Sequence, residues 1–211
     1  MKKIIAKIIL TDGSVETIDY GKLVSCEMNN LGVSDVRKPS FGIIAPNGRI
    51  EFFDVNGVFL SKVNSGLAND ARVKFYYKDT SSQEEQFLAS FLAKKWDYDK
   101  ANKKMRGTLY SAMEKTKDII VPTEDLDARV RIEELSIMEL LQYVQKYSKL
   151  TEYIDYYDYP VDFYLGAKIK FPFIESGKSI WYHIDQVCKA IGAYCFVSYS
   201  SEEEIFAIKV F

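Results

Sequence analysis

The residues best suited to chemistry are few, and they lie apart. His183 is the single histidine. It stands three residues after Ile180 and one before Ile184, at the border of an apolar helical face, which suits a structural histidine. Nucleophilic catalysis needs a base beside a Ser or Cys and an acid to orient that base. Ser176 and Ser179 are near in sequence, but neither sits in a Gly-x-Ser-x-Gly elbow. Gly177-Lys178-Ser179 has the ending of a phosphate-binding loop. The first glycine of that loop belongs at position 172, which is Pro172, so the backbone cradle is missing. The segment reads as a turn followed by a helix N-cap.

Carboxylates occur in runs: Glu84-Glu85, Glu124-Asp125 with Asp127, Glu133-Glu134 and Glu202-Glu203-Glu204. Glycoside hydrolysis needs two acids converging across a cleft. Runs on polar segments read instead as solvated surface. Asp97-Tyr98-Asp99 lacks the glycine and terminal glutamate of a calcium loop. Cys26, Cys188 and Cys195 form no Cys-x-x-Cys pair, and with one histidine they form no zinc pattern, so they read as buried free thiols. No catalytic residue, metal site or cofactor is expected.

Lys and Arg total 28 against 30 acids, for a formal charge of −2, which disfavours nucleic acid as the main partner. The interleaved run Arg72 to Lys78 is basic and aromatic, yet acids elsewhere balance it. Apolar residues make up 47% of 211, enough for a sizeable core and too many for a disordered chain. No apolar run approaches the roughly 20 residues of a membrane span, so no membrane anchor is expected. With 15 Tyr and 13 Phe, aromatics exceed what simple loops need and suit β cores and protein interfaces. Tyr153, Tyr156, Tyr157 and Tyr159, with Trp181, are the candidate interface residues.

The elements that must carry these residues are mainly strands. Lys3–Leu10 and Ser14–Asp19 predict a hairpin around Asp12-Gly13, and Leu23–Asn29 a third strand. Phe41–Ala45, Ile50–Phe53 and Val73–Tyr77 are short apolar runs. Pro46-Asn47-Gly48 and Val55-Asn56-Gly57 between them read as tight turns, since Asn-Gly accepts positive φ. Asp79–Glu85 reads as a loop or hairpin tip. Phe87–Tyr98 fits helical spacing as well as a long strand; its place between two strands favours strand. Lys104–Leu109 continues the sheet, and Ser111–Lys117 reads as a short helix. Beyond the acidic turn Pro122–Asp127 the pattern changes. Ser136–Leu150 reads as a helix with a Ser136/Glu139 capping box. Strands are expected at Val161–Leu165 and Lys168–Phe173, a helix at Ser179–Ile191, and a hairpin from Ala193–Tyr199 and Glu204–Phe211. The expected fold class is α+β, mainly β. Residues 1–121 form an antiparallel barrel, and 122–211 a smaller module of two helices (near 136–150 and 179–191) and two hairpins.

Three segments carry a resemblance. The first is Pro46-Asn-Gly-Arg-Ile-Glu-Phe-Phe-Asp54, with Gly57-Val-Phe-Leu60 and Asp70-Ala-Arg-Val-Lys-Phe-Tyr76. The second is Lys95-Trp-Asp-Tyr-Asp99, followed by Met105-Arg-Gly-Thr-Leu109. The third is Phe171-Pro-Phe-Ile174, Ser179-Ile-Trp181 and Ala190-Ile-Gly-Ala-Tyr-Cys-Phe-Val197. In this order the chain resembles the N-terminal half of tail-hub proteins of phages and contractile injection systems. Such proteins continue into a second barrel, whereas this sequence stops at Phe211.

The resemblance implies a non-enzymatic structural protein of the virion, assembled in the host cytoplasm. It implies barrel edges that dock on the tail tube, a trimeric ring that carries the tail tip, and other tail or baseplate proteins as partners. Two alternatives stay open. One is a carbohydrate- or receptor-binding module that stacks sugars on the Tyr-rich segment and Trp181. The other is a polysaccharide or peptidoglycan hydrolase domain.

Overall fold

The computed structural model describes residues 2–29, 42–82, 84–120, 135–136, 156–158, 168–169, 177–191, 193–200 and 203–210. These form two compact units. The first comprises Met1–Leu31, Pro46–Ser111 and Tyr199–Glu203, and the second Gly32–Ala45, Ala112–Ser198 and Glu204–Phe211. The class is α+β and mainly β, as the sequence predicts.

The first unit is built on one antiparallel sheet of seven strands: β1 (Lys2–Ile9), β2 (Val15–Ile18), β3 (Leu23–Asn29), β5 (Asn47–Phe53), β6 (Arg72–Asp79), β7 (Glu85–Asp99) and β8 (Lys104–Tyr110). Their order is β2-β1-β6-β7-β8-β5-β3. The expected barrel is therefore corrected to an open sheet, since β2 and β3 are its two ends. Closure is replaced by a fold-over at β7. This strand is 15 residues long, twice the usual length, and its two halves serve different neighbours. Residues 85–92 pair with β6, residues 92–99 pair with β8, and Leu92 alone is opposite both Arg72 and Tyr110. A register shift between Ala93 and Lys95 marks the bend, as bulges do where a strand passes from one sheet layer to another.

The inner faces of the two half-sheets share one core. Ile8, Val73, Phe75, Ala89 and Phe91 come from one half, and Ile50, Phe52, Met105 and Leu109 from the other. Full burial of an aromatic such as Phe52, Phe75 or Phe91 contributes about 1.5–3 kcal/mol. Ala89–Ala93 are five consecutive buried residues. A strand covered on both faces loses its alternation, which is why helical spacing fits this run as well as strand spacing does.

Two local expectations are overturned and one holds in part. Asn56-Gly57 is a tight turn, closed by Gly57 N donating to Asp54 O at 3.1 Å, but it does not join two paired strands. Gly57 has φ +66 and begins helix α1 (Val58–Asn64), so Gly57-Val-Phe-Leu60 is a helix start. The helix follows from Asp54, whose buried carboxylate accepts from Phe59 N at 3.1 Å and Leu60 N at 2.8 Å, filling donors left open at the first turn. Asn47-Gly48 is not a turn; both residues lie in β5. Glycine is required at 48 by proximity, because a Cβ there would stand 2.5 Å from Glu27 O. The run Phe41–Ala45 does not join the large sheet. Its strand β4 (Gly42–Ile44) pairs in parallel with β12 (Ala193–Ser200) of the second unit.

Other expectations hold. The first hairpin turns at Gly13, φ +82. Thr80–Ser82 and Glu84 lie in the tip between β6 and β7, and Ala112–Lys117 is a short 3₁₀ helix.

In the second unit a four-stranded sheet has the order β10-β13-β12-β4, with β10 (Tyr156–Asp158) and β13 (Glu203–Val210). The adjacent β12 and β13 form the expected C-terminal pair. Helix α2 (Ile180–Ile191) packs on β4 and on the 3₁₀ helix. It starts as expected: Gly177 turns with φ +77, and Ser179 Oγ accepts from Tyr182 N at 3.3 Å. Ile184 and Cys188, one helical turn apart, are fully buried. Ser136 closes strand β9 (Leu135–Ser136), which pairs with β11 (Lys168–Ile169). Residues 137–150 of the expected helix and the expected strand at 161–165 lie outside the described residues.

Candidate assembly surface

Among the described residues β2 is one edge of the large sheet, and β3 is the opposite one. Open edges carry unpaired backbone groups and invite another strand or chain. Val15 on β2 is 53% exposed and Val24 on β3 is 38% exposed, so each edge also presents apolar area. Strand period places alternate residues on one face. The inner positions of β5 and β8 are small or apolar; the outer positions Arg49, Glu51, Arg106 and Thr108 are charged or polar, with Phe53 an exposed apolar residue at the end of the same face.

That outer face holds a shallow depression of about 380 Å³ lined by Ser25, Glu27, Arg49, Glu51, Asp97 and Arg106, among others. Its charges form a lattice. Arg106 Nε lies 3.2 Å from Glu51 Oε1, Lys104 Nζ lies 3.4 Å from the same oxygen, and an Arg106 terminal nitrogen lies 3.6 Å from Asp99 Oδ2. Lys95 pairs with Asp97 at 2.7 Å. Exposed pairs of this kind add little stability, but alternating signs select a complementary partner. Glu27 and Arg49 are register partners on β3 and β5, both exposed, and neither makes an ion pair among the described residues.

Underneath, the face rests on packed aromatic rings. Trp96 meets Phe59 edge-on at 4.8 Å between centroids and Phe52 at 6.1 Å, while its Nε1 donates to Ala68 O at 3.0 Å. Tyr98 donates its hydroxyl to Asp54 O at 3.3 Å. Burial pushes the Cys26 thiol up from its ordinary pKa. At the β6–β7 tip, Asp79 accepts from Ser81 Oγ at 2.6 Å and Ser81 N at 2.9 Å, which lowers its pKa to about 2.

The aromatic residues singled out from sequence are only partly gathered. Tyr156 and Tyr157 lie together on edge strand β10, opposite Ile205 and Phe206 of β13. Tyr153 and Tyr159 lie outside the described residues. Trp181 sits in the first turn of α2, half-buried, with Lys117 Nζ 4.4 Å from its ring centroid. No described contact joins Trp181 to β10. His183 is buried, with its ring edge-on to Tyr182 at 5.4 Å. Among the described residues no group of three or more His, Cys, Asp or Glu is arranged to hold a metal ion. No helix among them is long and apolar enough to cross a membrane. Sequence reading missed the charged outer face. Its signal was present as alternate charges in Glu27–Arg49–Glu51 and Asp97–Asp99 with Lys104–Arg106, but the strand order is needed to bring them together.

No protein-family model matches the chain, and no curated protein matches it. Solved structures do. A tail protein from Neisseria meningitidis MC58 matches 96% of this chain over 50% of its own, at 8% identity and a TM-score of 0.55. The 43 kDa tail protein of prophage MuSo2 from Shewanella oneidensis matches 100% of this chain over 56% of its own, at 10% identity and a TM-score of 0.56. A chain of the half-lidded Francisella PdpA–VgrG complex matches 99% of this chain over 31% of its own, at 12% identity and a TM-score of 0.57. This chain thus spans about half the length of the two tail proteins, and less of the third. Its fold is the one found in phage tail proteins and in a PdpA–VgrG complex.

Proposed function

We propose that this chain is a structural component of a phage tail or of a related injection-particle hub, and that it works by binding other proteins rather than by catalysis. The observation that carries this reading is the match of nearly its whole length to tail proteins, joined to a sheet that is open at both ends. In this reading β2, β3 and the charged outer face of β5 and β8 dock against neighbouring tail, tube or spike proteins. The chain assembles with copies of itself, as a trimer, and resides in the particle. The carbohydrate reading draws less support, because the Lys117 ammonium already occupies the ring of Trp181.

The test is reconstitution. The chain is purified alone and mixed with tube and spike proteins from its source, and mass is followed by sedimentation and light scattering. A trimer, or a stable complex with either protein, is the expected result. Lys at both Val15 and Val24 should weaken that assembly while leaving the monomer folded. A chain that stays monomeric at high concentration, ignores both proteins and binds glycans through Trp181 would sink the proposal.

A further inference from the structure

We propose that the sheet end formed by Lys22, Phe53, Val55, Val58, Lys100 and Lys103 is a docking surface for an acidic protein segment that carries an apolar anchor. Three large apolar side chains are exposed there within six residues: Phe53 by 42%, Val55 by 58% and Val58 by 54%. The backbone holds them in place. Phe53 N donates to Lys22 O at 2.9 Å, and Asp54 N donates to Lys103 O at 2.9 Å. The end of β5 is thereby clamped between the residues that open β3 and β8. Across the ladder from Phe53 stands Lys104, its Nζ 5.5 Å from the ring centroid.

The charge around this apolar group leans cationic. Among the described residues the nearby carboxylates are held within the fold, and each keeps its charge. Glu51 is held by Lys104 and Arg106, and Asp99 by Asn102 at 2.8 Å and by Arg106. Asp54 caps α1, and Asp19 accepts from Gly21 N and Lys22 N. Lys22, Lys100 and Lys103 are exposed and make no ion pair among the described residues. With Lys104 and Arg106, five cations stand against the four carboxylates Asp19, Glu51, Asp54 and Asp99, so this end of a chain of net charge −2 carries a small local cationic excess beside an apolar centre. An apolar side chain of the partner covers Phe53 and its neighbours and supplies affinity, while flanking carboxylates meet the lysines and set the approach. The inference concerns the chemistry of one partner and does not depend on the tail reading.

The test uses the full chain and a fluorescein-labelled peptide, Asp-Glu-Leu-Asp-Phe-Glu-Asp, read by fluorescence anisotropy. Controls are the same peptide with Lys for each acid, the peptide with Ser for Leu and Phe, and phosphatidylserine vesicles. Saturable binding of the acidic peptide alone, weakened by salt, is the expected result. Phe53→Ser, and Lys22→Glu with Lys103→Glu, should each weaken it about tenfold. Should Phe53→Ser fail to fold, Val55→Ser with Val58→Ser carries the same expectation. Absence of saturable binding, or binding that ignores these substitutions, overturns the proposal and leaves the lysines as guards against aggregation. Binding to the vesicles but not to the peptide overturns it in favour of an anionic lipid surface. Failure to reconstitute a tail complex would leave this result standing.

Discussion

Gly107 lies directly across the β7–β8 ladder from Trp96, and a Cβ at that position would stand 2.5 Å from Trp96 Cζ3 and 2.9 Å from Ile50 Cγ2. The indole occupies the space a side chain would need. The indole is held in place by Phe59 and by its bond to Ala68 O.

Gly107→Ala should therefore destabilise the first unit by about 1–3 kcal/mol through overpacking. Urea unfolding followed by Trp fluorescence checks this. A midpoint equal to that of the parent protein would show that the indole moves aside.

Trp96→Phe tests the other side of the same contact. It keeps an aromatic against Phe59 but removes one of the two donors to Ala68 O, the Ala71 N–H remaining at 3.3 Å, so it should cost about 0.5–1.5 kcal/mol. Combined with Gly107→Ala, the two effects should be less than additive, since the smaller ring makes room for the new methyl group. A double-mutant cycle with strictly additive energies would refute the coupling.

Asp54 organises α1 from three residues before its cap. Asp54→Ala should cost about 1–3 kcal/mol, because two first-turn N–H groups lose their acceptor. Asp54→Asn keeps one acceptor oxygen and should lose less. Hydrogen exchange at the Phe59 and Leu60 amides is the direct readout, and unchanged protection in Asp54→Ala would contradict the capping role.

At the β6–β7 tip the sign of the pH dependence follows from Asp79. Its folded pKa of about 2, against an ordinary value of 3.8, is set first by the Ser81 hydroxyl and then by the Ser81 N–H. A depressed carboxylate favours the folded state above its unfolded pKa, and that contribution fades as pH falls from about 4 toward 2. Glu85 acts in the same direction, its pKa lowered chiefly by the hydrogen bond from Lys7. Ser81→Ala should raise the Asp79 pKa toward the ordinary value, as seen by carboxyl NMR titration. Because the tip is exposed, the melting temperature at neutral pH should barely change.

Lys103 adopts φ +52, one of two described non-glycine residues in the left-handed region. Lys103→Gly should raise stability by about 1 kcal/mol or less, the relief of backbone strain outweighing the added entropy of the unfolded chain. A thermal scan decides the sign, and a lower midpoint would mean that the lysine side chain makes a compensating contact.

Sequence by itself determined the β-rich class, most strand positions and the general character of the molecule. Hydrophobic alternation and turn residues are local signals, so β1, β2, β3, β6 and β8, the Gly13 turn and the Ser179 cap were legible within a few residues of chain. The segments quoted for the tail-hub resemblance carried the fold, although the identities to known tail structures are only 8–12%. Tertiary structure alone decided the rest, because it depends on which strands meet. Asn47-Gly48 and Asn56-Gly57 have the same local chemistry, yet one is a strand crossing close to Glu27 O and the other opens a helix capped by Asp54. Gly42–Ile44 looks like any short strand, and only its pairing with residues 194–196 assigns it to the second sheet. The open sheet, folded over at Leu92 and Ala93, follows from two different neighbours competing for one long strand. Pairing across such distances is invisible to a window of local residues, and it is this pairing that makes β2 and β3 the end strands of the described sheet and gathers the charges of its outer face.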